Sequence, residues 1–254
     1  MPEMGMAFQS KVRITEDEKC TLRPLIMQFF GSHSKVLNNS HALIVAKIAR
    51  YDYPTYWPQL IDQLLDVVRS SFATGVLVFQ IHCLYTLHLV IKTLASKTLP
   101  SSRVEFINVA PKVFEFLIRI FDEFLKSFFS TAGNEEEASR NLEIVLMCLK
   151  SCRRLLVYGF SDIAQNATAL EFYKRLLVLN QEMIKSSMFI VSYDRKPFRA
   201  ALSKGGQDYY SCWKNILGFA GKRFGTIYIY SRTFEHCVIV LENSSRFHSR
   251  YLPL

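Results

Sequence analysis

Residues 41–68 read HALIVAKIARYDYPTYWPQLIDQLLDVV, and the ten at their centre, YDYPTYWPQL (51–60), hold four aromatic rings and two prolines between apolar-patterned segments. Pro54 lacks a donor and cannot continue the segment before it. Pro58 has its φ pre-set for a first helical turn, where the missing N–H costs nothing. The stretch therefore reads as an elbow between two helices, built from Tyr51, Asp52, Pro54, Trp57 and Pro58. Tyr51, Tyr53, Tyr56 and Trp57 offer large amphipathic surfaces that can wedge the two helices apart.

Outward from the elbow, apolar residues recur at three- and four-residue spacing in seven successive blocks, the mark of amphipathic helices. Before it, a block at about 15–30 opens on Thr15 and Glu18, a capping-box pair that satisfies orphan helix N–H groups, and closes at Gly31. The next, about 34–50, places Leu37, Ile44, Ile48 and Tyr51 on one face. After the elbow, a third block starts at Pro58 with Leu60, Ile61, Leu64, Leu65 and Val68 in a stripe. Its other side carries Gln59, Asp62, Gln63, Asp66 and Arg69. A fourth covers about 76–96, and a fifth starts from a Ser102–Glu105 capping pair and runs to about 129. The sixth starts at Asn134 before three glutamates, where the helix dipole favours them, and runs to Gly159. The seventh starts from a Thr168–Glu171 pair.

Helices joined by short turns, with no strand pattern before residue 188, predict an all-α fold of stacked helical hairpins. The second and fourth blocks start about 42 residues apart, within the period of HEAT repeats. The expected organisation is a disordered segment at 1–14, a HEAT-repeat solenoid at 15–188 and a divergent basic tail at 189–254. In that tail TIYIYSRTF (226–234) and CVIVL (237–241) are strand-like in composition.

Of the net charge of +9, residues 1–188 contribute little, with 21 Lys and Arg against 18 Asp and Glu. Residues 189–254 carry 10 against 4. A near-neutral body does not suit a nucleic-acid platform. The alternative to a protein-binding solenoid is a scaffold or RNA-binding protein that uses the basic tail. No signal-peptide run and no stretch of eighteen apolar residues occurs, so a soluble intracellular chain without membrane insertion is expected.

Motifs for chemistry are absent. Cys148 and Cys152 share a helical face but lack the second ligand pair a structural zinc site needs, so buried thiols are expected. His82 and His88 lie six apart, about 240° around a helix, and read as ordinary groove or surface histidines. GFAGKRFG (218–225) has Ile216 and Arg223 where a phosphate loop needs Gly and a hydroxyl residue. No catalytic residue, metal or cofactor is expected.

The run at 41–68, with Ala-Arg-x-Asp-x-Pro ending one helix and Trp-Pro-x-Leu opening the next, resembles the importin-beta (karyopherin) family of nuclear transport receptors. IKTLASKTLPSSR (91–103) and LKSCRRLLVYGF (149–160) resemble helices of its importin-eleven branch, and the likeness covers about 14–188. Family members are several times longer, so the chain looks like a truncated fragment of one. The resemblance implies a non-enzymatic receptor that binds Ran in its GTP form, protein cargo and nucleoporin phenylalanine-glycine repeats, in cytoplasm, nucleus and nuclear pore. In the family the row containing the third helix lines the inner surface. The resemblance therefore makes Gln59, Asp62, Asp66 and Arg69 the candidate partner-facing residues.

Overall fold

The computed structural model describes residues 14–130, 135–163, 165–176 and 178. The strand-like segments of the tail, the amino-terminal segment before Ile14 and the Asn134 cap lie outside the described residues. Six helices follow one another: α1 (Glu16–Ile26), α2 (Lys35–Asp52), α3 (Leu60–Thr74), α4 (Leu77–Ala95), α5 (Pro100–Ser130) and α6 (Glu135–Tyr158). Residues 167–176 are helical as well. The described residues contain no strand, and the architecture is an all-α HEAT-type array.

Helix starts show how local chemistry sets each boundary. At α1 the Thr15 hydroxyl accepts from the Glu18 N–H while the Glu18 carboxylate accepts from the Thr15 N–H at 2.7 Å, the expected capping box. Three other starts differ from expectation. Pro58 precedes α3 rather than opening it: it lies in a turn closed by the Leu60 N–H on the Trp57 carbonyl at 3.3 Å, where its fixed φ serves equally well. Pro100 opens α5, which leaves Ser102 and Glu105 inside the helix rather than capping it. Asn166 caps the 167–176 helix, its Oδ1 accepting from the Ala169 N–H at 2.8 Å, so Thr168 falls within the first turn.

The helices form two layers. In one, α4 packs between α2 and α6; in the other, α3 and α5 pack over α4, and α5 shares a long seam with α6. Covered from both layers, α4 buries Cys83, Leu84, Leu87, Val90, Ile91 and Leu94, each aliphatic side chain contributing about 1.5–3 kcal/mol. By length and composition alone α4 could cross a membrane, but here it is the central core helix.

The face that α2 buries is not the expected one. Asn38, Ala42, Val45, Ala46, Ala49 and Asp52 point inward, whereas Leu37, Ile44 and Tyr51 are 60%, 51% and 68% exposed and only Ile48 is partly covered. The bulky α4 side chains fill the space between the two helices, so the α2 contact is made by small residues. A pattern weighted towards large residues selects the opposite side.

Past the end of α6, Gly159 lets α5 approach closely. A Cβ built there would stand 2.4 Å from the Ala110 Cβ and 2.9 Å from the Leu155 carbonyl oxygen. Gly159→Ala is therefore expected to cost about 1–3 kcal/mol by overpacking. Urea unfolding of G159A alone and of G159A with Ala110→Gly checks this, the second substitution restoring part of the loss.

Candidate partner-binding face and the elbow that orients it

The α2–α3 elbow is held by one buried ion pair and a set of backbone acceptors. Arg23 of α1 donates from Nη2 and Nε to the Asp52 carboxylate at 2.6 and 2.9 Å, both groups being largely shielded from water. The Asp52 carbonyl accepts from the N–H groups of Tyr56 and Trp57 at 2.8 and 3.1 Å, which turns the chain away from the α2 axis. Next to it the Tyr53–Pro54 peptide is cis. The Tyr53 carbonyl accepts from Lys97 Nζ at 2.7 Å, tying the elbow to the end of α4.

Two of the four rings fill the joint. Tyr53 and Trp57 are buried; the Trp57 indole N–H donates to Gln63 at 2.9 Å, and burial pushes the Tyr53 phenol up to about 12. Tyr51 and Tyr56 are exposed and wedge nothing, because they project from the side of α2 and of the turn that no other described element covers.

Beyond the elbow, α3 presents Gln59, Asp62, Asp66 and Arg69 to solvent, with Leu60, Ile61, Leu64, Leu65 and Val68 buried beneath. These polar residues form a ladder across the layer. Asp62 pairs with Lys112 of α5 at 2.5 Å, Asp66 pairs with Arg69 at 2.5 Å, and the Arg69 guanidinium stands 5.7 Å over the Phe116 ring of α5. Farther along, Asp122 of α5 pairs with Arg175 of the 167–176 helix. Gln59 stands apart at the N-cap of α3, with no side-chain capping bond. Exposed pairs of this kind are each worth about 0–1 kcal/mol, so they can exchange partners at little cost to the fold. Such charges are suited to reversible contacts.

Among the described residues no group of three or more His, Cys, Asp and Glu is placed to hold a metal ion. Cys148 and Cys152 are fully buried thiols, raised well above their ordinary range by burial. His82 departs from its surface reading: it is buried and linked to His41, whose Nδ1 lies 3.0 Å from the His82 Nε2. His82 Nδ1 in turn accepts from the Gly31 N–H at 3.1 Å. These partners lie far apart in the chain, so the six-residue spacing to His88 carries no trace of them. His88 is half-buried, 3.0 Å from the Ser151 hydroxyl of α6.

No family model matches the chain. Individual relatives do. Importin beta-like protein kap113 of Schizosaccharomyces pombe is 36% identical over 173 residues, 66% of this chain and 17% of its own length. Importin-11 of Homo sapiens is 30% identical over 179 residues, 70% of this chain and 18% of its own. Importin beta-like protein KAP120 of Saccharomyces cerevisiae is 22% identical over 174 residues, 68% of this chain and 17% of its own. In fold the chain is similar to Lph2, described as a bidirectional nuclear transport receptor of S. cerevisiae. That likeness has a TM-score of 0.62 at 22% identity and covers 81% of this chain and 19% of that one. The matched segment thus spans less than a fifth of the relatives' length. Its reach across the helical array, at up to 36% identity, places the chain in the importin-beta family, on the importin-11 branch.

Proposed function

We propose that the chain acts in nucleocytoplasmic transport as a binding module, its α3–α5 face engaging Ran in the GTP form and protein cargo. The same reading includes contact with nucleoporin phenylalanine-glycine repeats and passage between cytoplasm and nucleus through the pore. The observation that carries it is the exposed ladder of Asp62, Asp66, Arg69 and Lys112, joined across two helices on a rigid apolar base. Charged groups presented on a fixed scaffold give partner selectivity and association rate more than raw affinity, which suits a receptor that must release what it binds.

A pull-down of the full chain with Ran loaded with GTP or GDP tests the proposal. Selective retention of the GTP form is expected, reduced about tenfold by Asp62→Lys with Asp66→Lys, a loss in line with the coupling of close charge pairs. Equal or absent retention of the two forms would remove Ran-regulated binding from this chain.

A further inference from the structure

A second surface lies in the other layer. Leu43 and Ala46 of α2 and Leu89 of α4 floor an open groove of about 540 Å3, and Lys47, Arg50 and Lys92 stand on its rim. Arg50 donates to the Ser96 hydroxyl at 3.0 Å and Lys47 stands 5.9 Å from the Tyr51 ring. Among the described residues none of the three cations has a carboxylate partner. Asp52 is the sole carboxylate on α2, and it is turned inward onto Arg23; α4 has none. From Lys92 on α4 the positive field continues onto α6, where Arg154, Lys150 and Arg153 also act on His88, and among the described residues the buried Arg154 Nε has no hydrogen-bond partner.

Basic residues late in a helix are favoured by its dipole, so their presence alone calls for no ligand. The apolar floor between them does, because the exposed Leu43 and the part-covered Leu89, backed by the buried Ala46, lie open beneath unneutralised cations and match a partner that is apolar at one point and anionic around it. We propose that the α2–α4 groove docks an acidic peptide segment that inserts an apolar anchor between Lys47, Arg50 and Lys92. The volume suits one or two anchor side chains, and a groove between helices accepts either a helical or an extended segment. RNA fits less well, since single strands need stacking platforms and among the described residues that line the groove none is aromatic.

Fluorescence anisotropy on the full chain tests the site. The probe is a fluorescein-labelled peptide with a Leu-Leu pair between blocks of glutamate, compared with the same peptide carrying glutamine and with polyuridine RNA. Saturable binding of the glutamate peptide is expected, weakening as salt screens the cations. It should fall about tenfold in Arg50→Glu with Lys92→Glu, two close charge pairs being lost. Leu43→Gln should weaken it severalfold by removing the exposed edge of the floor. Circular dichroism should be unchanged, as these side chains leave the core intact. Absence of binding, equal binding of the glutamine peptide, preferential binding of RNA, or indifference to the double charge reversal would each overturn the proposal.

Discussion

Asp52→Ala is expected to destabilise the array by about 3–5 kcal/mol, because it leaves the Arg23 guanidinium buried without its counter-charge. Among the described residues Arg23 reaches one other carboxylate, Glu16 at 3.4 Å, and that group is half-exposed and already paired with Lys19 at 2.6 Å. The cost falls on the elbow, since Asp52 also orients the turn through its backbone carbonyl. A buried ion pair adds little net stability over a well-packed apolar pair, so the double replacement Arg23→Met with Asp52→Leu is expected to recover most of the loss. Equilibrium urea unfolding of the three proteins checks this. A D52A loss below about 1 kcal/mol, within the range of exposed pairs, would mean that Arg23 is solvated rather than dependent on Asp52.

That aspartate marks the boundary of what the sequence reveals. The α3 stripe is legible residue by residue, because five large aliphatic side chains at helical spacing have one way to be buried at once. The Thr15–Glu18 cap is legible because both partners lie within one turn. Asp52 is visible as part of the elbow, but its partner is 29 positions away and no local pattern joins them. His41 and His82 are separated in the same way, by 41 positions. The inward face of α2 is hidden for another reason: alanines carry little weight in an apolar pattern, yet they are what a close helix–helix contact selects. Of the candidate face, the exposure of Asp62, Asp66 and Arg69 follows from periodicity. The links to Lys112 and Phe116 depend on how α5 lies across α3, which only the fold supplies.

The buried His82 and the half-buried His88 predict a steep dependence of stability on pH. The Gly31 N–H occupies His82 Nδ1, which leaves the His82 Nε2–H to donate to His41 Nδ1 and the His41 Nε2–H to donate to the Ile26 carbonyl at 2.8 Å. A further proton on His82 would have to sit on Nδ1, against the Gly31 N–H. Burial, with the neighbouring His41 adding to it, lowers His82 to about 4; burial and the Arg154, Lys92, Lys150 and Arg153 cations lower His88 to about 4. Both folded values lie below the ordinary 6.5 of histidine, so between these limits the unfolded chain binds more protons than the native one. Their contribution is therefore fully present above about pH 6.5 and is lost as pH falls towards 4, each on the order of 3 kcal/mol at the acid end. The carboxyls of Glu16, lowered by Lys19, and Glu18, lowered by Thr15, lose their contribution only at still lower pH. Thermal unfolding followed from about pH 7 to about pH 5 should show a falling midpoint in the wild-type chain and a shallower slope in His82→Gln with His88→Gln, whatever the offset between the two proteins. Parallel slopes would show that neither imidazole is held neutral by the fold, and that the chain Gly31, His82, His41, Ile26 does not lock the α1–α2 connection.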